Sequence, residues 1–372
     1  MTGGTVLVSD IQAEDTGALG HRLRRRAAML SRQGGGSLIA PSPEGTRVLF
    51  PGIRHFVVPV VPGSSLERRG LAVADEIGPH LETLRPRLIH VMGLSCALPA
   101  LLYARGRAKV VLEPGILPSQ ELRDSRPDLP ADRLVDLVEL EDKTLRRADA
   151  LIAHSMVEMA ALVKRGIDGE RVFIARDGLP LGVDVGPSPE LPHVLVVGDG
   201  ESSGGSTLPI EALARVKGPW RLTYLLPPGA QTGAIETLAR ALKLTERVSI
   251  SRDGDWTNVV SRLNAAKIVV CPLLPTRAMQ GGGLVPWGVL LALSAGRALV
   301  AADLPAVRAY AGKAARYFMP GDAGALALAL DFVLRTDEAR FELEAFASEV
   351  AESLSWADAE QPVADVWQML LA

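Results

Sequence analysis

Cysteine is almost absent from this sequence. Cys96 and Cys271 are its two thiols, far apart and set in apolar surroundings. Two buried thiols are expected rather than a disulfide framework, and that usage fits a cytoplasmic location. No Cys or His spacing suits a zinc site. No apolar run is long enough to cross a bilayer: the best, Val285 to Val300, is interrupted by Gly288, Gly296 and Arg297. The opening MTGGTVLVSD lacks the basic start of a secretory signal, so none is expected. A large excess of one charge is missing too. The formal net charge is −3, which argues against nonspecific affinity for nucleic acid. What is present is ordinary globular composition, with 48% hydrophobic and 22% charged residues. At 372 residues the chain is too long for one core, and two domains are expected.

Short β-rich runs alternate with helical patterns from the start. Thr5–Ser9, Ser37–Ala40, Phe56–Val61, Leu88–Met92, Lys109–Leu112, Ala150–Ala153 and Val172–Ala175 read as strands. The helix HRLRRRAAMLSRQ lies between the first two, with Leu23, Ala27 and Leu30 on one face. Pro114 to Pro130 holds four prolines and mixed charges and reads as an excursion loop. Gly178 to Pro192 is rich in Gly and Pro and reads as the linker. The alternation then restarts at His193 and runs to the tail SWADAEQPVADVWQMLLA, an amphipathic helix with Val363, Val366, Trp367 and Leu370 on one side. The reading is α/β, with residues 1–180 as the first domain, 181–192 as linker, 193–355 as the second domain and 356–372 as a terminal helix. Both domains are expected to be doubly wound parallel sheets, with ligands at the carboxyl ends of the strands and in the cleft between the domains.

Several segments together resemble the GT-B glycosyltransferases of family 4. LRRADALIAHSMVEMAALVKRGIDGERVFIARDG is similar to the family segment before the linker. HVLVVGDGESSGGSTLPIEALARV is similar to the first strand, loop and helix of its donor domain. LSAGRALVAADLPAVRAYAG, YFMPGDAGALALAL and SWADAEQPVADVWQMLL follow in the family's order. The resemblance implies two Rossmann-like domains facing a central cleft, with the last helix returning to the first domain. It implies a retaining transfer of a sugar from a nucleotide sugar to a glycan or lipid-linked acceptor. It implies no metal and no resident cofactor.

The family's chemical groups are replaced here. Asp199 and Gly204 stand where the donor loop has Arg and Lys. The paired glutamates fall on Leu291 and on Gln280 or Gly283, and the family's His falls on Pro114, beside Glu113. An Asp beside a diphosphate repels it, and Pro cannot take over an imidazole's hydrogen bonds. The candidate replacements on the donor side are Arg277, the glycine run Gly281, Gly282 and Gly283 as an anion nest, and Gly204 with Gly205. A solvated loop Arg and tight turns are the alternatives. Glu113 is the candidate catalytic carboxylate, with a surface charge at a strand end as the alternative. Gly17, Gly20 and Arg22 match the acceptor side. Arg22, Arg25 and Arg26 share a helical face, read either as a solvated face or as a peripheral contact with anionic lipid or a phosphorylated acceptor. His90 reads as a packed core histidine, and His154 has no evident acidic partner in sequence. A catalytically inactive homologue binding a glycan, a nucleotide or a partner is the competing function.

Overall fold

A computed structural model describes residues 4–15, 17–43, 50–61, 64, 66–179, 186–187, 189–198, 205–226, 230–252, 256–276 and 287–372. The chain divides into two compact units. The first takes in Met1–Asp177 and Trp356–Ala372, and the second Gly178–Gln280 and Val285–Ser355.

In chain order the first unit runs β1 (Thr5–Ser9), α1 (Ala18–Arg32), β2 (Gly36–Pro43), β3 (Ile53–Val60), α2 (Leu66–Leu84), β4 (Leu88–Met92), α3 (Ala97–Ala104), β5 (Lys109–Glu113), α4 (Pro118–Ser125), α5 (Val135–Arg147), β6 (Ala150–Ala153), α6 (Met156–Lys164) and β7 (Val172–Ile174). The strands form one sheet in the order β3-β2-β1-β4-β5-β6-β7, and every pair is parallel. Side chains alternate across a strand, so each strand feeds two cores. Val6 and Val8 pack with Val73, Ile77 and Leu81 of α2 on one face. Leu7 packs with Leu23, Ala27 and Leu30 of α1 on the other.

The second unit continues with β8 (His193–Val197), α7 (Leu208–Leu213), β9 (Arg221–Leu225), α8 (Gly233–Ala241), β10 (Val248–Ser251), α9 (Trp256–Ala265), β11 (Ile268–Cys271), α10 (Trp287–Ser294), β12 (Ala298–Ala302), α11 (Pro305–Ala311), β13 (Ala315–Phe318), α12 (Ala323–Arg335) and α13 (Asp337–Ser353). Its sheet, β10-β9-β8-β11-β12-β13, repeats the same winding and is again parallel throughout. The last helix, α14 (Trp356–Leu371), buries Val363, Val366 and Trp367 against the α1 face of the first sheet. Among the described residues no helix is long and apolar enough to cross a membrane.

One expectation is corrected. The proline-rich stretch from Pro114 to Pro130 is not all loop, because α4 lies inside it. Pro118 occupies the first turn of that helix, where a missing N–H costs nothing.

Candidate functional site

In a doubly wound sheet the strand order reverses at one point, and the loops on either side diverge to leave a crevice. In the first unit that point falls between β1 and β4. Asp10 follows β1, Gly93 follows β4, and Glu113 ends β5 beside Pro114. These residues, with Ile11, Arg22 and Gly115, line a narrow pocket of about 20 Å³, room for one water-sized group.

Asp10 is 2% exposed. Gly93 makes room for it: at φ +106°, a Cβ there would come within 2.1 Å of the Asp10 carboxylate. Burial pushes the Asp10 carboxyl up to about 7, and the nearby charge of Arg69 only partly offsets this. Its protonation therefore changes near neutral pH. Sequence reasoning missed Asp10, because an acidic residue after a strand is common and the sheet order is what places it at the switch point.

Arg22 and Glu113, in the pocket's lining, belong to a buried charge network. Arg26 donates from Nε to Glu113 Oε1 at 2.6 Å, and both side chains are buried. His90 Nε2 approaches the same oxygen at 3.0 Å, while His90 Nδ1 accepts from Trp367 Nε1 at 2.8 Å. That pattern fixes His90 as the neutral Nε2–H tautomer. His154 Nε2 stands 3.5 Å from Glu113 Oε2, and its Nδ1 lies 3.1 Å from the Ala175 carbonyl oxygen. Arg22 grips Asp177 with two hydrogen bonds, 2.7 Å from Nε and 2.6 Å from Nη2. Burial opposes ionisation of Glu113, but Arg26 and the two histidines outweigh it and hold the carboxyl well below its usual range. Arg22 does the same for Asp177 against its burial. Two cations and two anions thus balance.

This geometry changes three sequence readings. Glu113 is no strand-end surface charge, being 2% exposed and occupied by Arg26 and His90. Arg22 and Arg26 are neither solvated nor turned to lipid, and Arg25 is bound to Glu360 at 2.8 Å while stacking over Trp356. His154 does have an acidic neighbour, Glu113. His90 is a buried, hydrogen-bonded histidine, as its mid-strand position suggests.

Gly17 and Gly20 both have local structural reasons. Gly17 precedes α1, and its N–H donates to Asp15 Oδ1 at 2.8 Å. A Cβ on Gly20 would sit 2.0 Å from the Asp15 carbonyl oxygen. In the second unit the strand order reverses between β8 and β11. Gly205, in the loop after β8, has φ +63°, and a Cβ there would meet the Pro272 carbonyl oxygen at 2.1 Å. The two loops touch backbone to backbone, which only glycine permits. Leu291 is completely buried in α10. Arg277, Gly281, Gly282, Gly283 and Gly204 lie outside the described residues. Trp256 and Trp287, the first residues of α9 and α10, are half-buried with ring centroids 6.5 Å apart. Each starts a helix at the carboxyl side of the second sheet, where a ligand is expected.

The titration of Asp10 gives a testable pH dependence. Asp10 and Glu158 are raised by burial to about 7 and about 8. Each favours the folded state while protonated, and that contribution is lost as pH rises through its folded value. Burial lowers His21 and His154 to about 4 and also lowers His90, so their contribution is lost as pH falls below 6.5. Between pH 6.5 and about pH 8 the two carboxyls dominate, and stability falls until both have ionised in the folded state. Moving a carboxyl from 3.8 to about 7 costs the ionised folded state about 4 kcal/mol. Asp10 is ionised in the unfolded chain above 3.8 but in the folded chain only above about 7, so Asp10→Asn is expected to remove a downward contribution to the melting temperature between about pH 4 and pH 7, followed by circular dichroism. An unchanged slope would contradict this assignment.

Comparison with known proteins agrees with the topology. Residues 12–178 match the family described as "Glycosyl transferase 4-like domain". No curated protein matches the sequence. Among solved structures, sucrose-phosphate synthase from Thermosynechococcus elongatus superposes with a TM-score of 0.82 at 15% identity, covering 99% of each chain. A glycosyltransferase from Rickettsia africae gives a TM-score of 0.72 at 15% identity, covering 100% of this chain and 99% of its own. HepE from Anabaena, crystallised with UDP-glucose, gives 0.75 at 13% identity, covering 98% and 99%. The fold is that of the GT-B glycosyltransferases.

Proposed function

We propose that this protein is a family-4-like glycosyltransferase that takes a sugar from a nucleotide sugar and passes it to a hydroxyl of a glycan or lipid-linked acceptor. The observation that carries the reading is the pocket at the first sheet's switch point, with Asp10 buried in it and titrating near neutrality. A carboxylate with that pKa suits a group that accepts the proton of an incoming hydroxyl. The sugar–phosphate bond breaks with its electrons leaving on the nucleotide, and the acceptor oxygen bonds the anomeric carbon. Asp10 accepts a hydrogen bond from the hydroxyl and receives its proton. The full-length likeness to GT-B proteins, one of them crystallised with UDP-glucose, makes a uridine diphosphate sugar the first donor to test. Trp256 and Trp287 are well placed to report it, and base stacking on an indole suits their half-buried position.

Calorimetric titration with uridine, adenosine and guanosine diphosphate sugars is the test. At least one is expected to bind and to quench tryptophan emission. Failure of all of them to bind would remove the transferase reading. Asp10→Asn is expected to leave donor binding intact and to lower turnover by about 10²-fold, the lower end for loss of a general base.

A second reading, a homologue that binds the donor without turning it over, is favoured by one set of residues. Leu291 is packed in the core where the resemblance puts a glutamate, and Pro114 replaces the histidine. That reading requires donor binding with no release of nucleotide.

A further inference from the structure

A second cavity opens at the opposite edge of the first sheet. It has a volume of about 650 Å³, within the range of small-molecule sites. Its walls come from the amino ends of the strands. Arg87 precedes β4, Arg105 and Arg107 lie in the turn from α3, Lys109 opens β5, and Arg147 ends α5. The parallel winding collects these turns at one edge, because every helix-to-strand connection returns there. Leu101 and Val110 form an apolar floor.

The charge here does not follow the rest of the chain. The protein is net negative, yet five cationic side chains line this cavity against two anionic groups, the Asp149 side chain and the carboxylate that Ala372 carries in this chain. Asp149 is held by Lys109 at 3.1 Å. Arg107 is paired outward with Glu82 at 2.6 Å. Arg87 donates to the neutral Leu371 carbonyl oxygen at 2.9 Å. Arg105 and Arg147 meet no carboxylate among the described residues. Three guanidinium groups therefore line one concave space without a carboxylate in salt-bridge contact among the described residues. Repulsion between them is relieved by a multiply charged anion, and the planar guanidinium fork fits phosphoryl oxygens two at a time.

We infer that this cavity is a second binding site, for a phosphoryl anion carrying two or more charges, held by Arg87, Arg105 and Arg147. The site is separate from the Asp10 pocket, at the other end of the same strands, and the inference does not depend on the proposed function. The anion can come from a soluble phosphate compound or from a lipid headgroup.

The test uses the full chain and an Arg105→Glu/Arg147→Glu variant, both exposed positions away from the core. Inorganic pyrophosphate is titrated by calorimetry at low salt. In parallel, sedimentation is measured with phosphatidylglycerol vesicles and with phosphatidylcholine vesicles. Saturable pyrophosphate binding that weakens at least tenfold in the variant supports the site with a soluble ligand. Sedimentation with phosphatidylglycerol alone, lost in the variant, supports it with a lipid headgroup. Either signal should decline as salt is raised, as expected for exposed charges. Absence of both signals, or binding unchanged by the double charge reversal, overturns the inference. A normal circular dichroism spectrum for the variant shows that the loss is not unfolding.

Discussion

Glu113→Ala is expected to destabilise the protein by about 3–5 kcal/mol, the scale for removing one partner of a buried ion pair. The cause is what the substitution leaves behind. Arg26 is completely buried, and Glu113 is the carboxylate that neutralises it. His90 Nε2, 3.0 Å from the same carboxylate, loses its anionic neighbour at the same time. Urea unfolding of the variant and the wild type measures the effect as a lowered midpoint. Glu113→Gln keeps the shape and one acceptor oxygen, so it should fall between the two. A Glu113→Ala protein of near-normal stability with abolished activity would reverse the account, and would make Glu113 a catalytic group rather than the centre of a structural network.

Trp367→Ala carries the second large effect, about 3–5 kcal/mol, typical of deleting a buried tryptophan. The Trp367 ring is 1% exposed and packs with Val363 and Val366 on the α1 face of the first sheet. Its indole N–H also supplies the hydrogen bond that sets the His90 tautomer. Losing the ring leaves a cavity and an unpaired imidazole nitrogen, two costs from one change. Trp367→Phe refills most of the cavity but not the hydrogen bond, and should cost about 1–3 kcal/mol. Limited proteolysis reports the location: cleavage in α14 should accelerate in Trp367→Ala. Equal protease resistance in wild type and variant would mean that Trp367 does not anchor this helix.

The strands were legible in the sequence because each is a short β-rich run bounded by glycine, proline or a helical pattern, and the winding follows from their alternation with helices. Helix α4 was not legible, since prolines and mixed charges mask a first turn that Pro118 in fact favours. The arginines of α1 were misread for a different reason. A helix face rich in arginine looks solvated until its partners are known, and those partners are remote. Glu113 lies 87 residues from Arg26, and Asp177 lies 155 from Arg22. Trp367 reaches His90 across 277 residues. Charge pairing of that range leaves no local pattern to read. Asp10 was hidden by the opposite circumstance: a single acidic residue after a strand is common, and only the sheet order puts it at the switch point. The glycine readings split likewise. Gly20 and Gly205 are required by close backbone approach, a constraint that sequence registers only as glycine.

Turnover of a nucleotide sugar is the outcome that decides the proposed function. The direct measurement is release of free nucleotide from the sugar nucleotide that binds, with acceptor hydroxyl compounds present, in wild type and in Asp10→Asn. Release above the uncatalysed rate is expected in wild type, with a loss of about 10²-fold in the variant. A donor that binds yet stays intact, at the same rate with and without the protein, would contradict the proposed function.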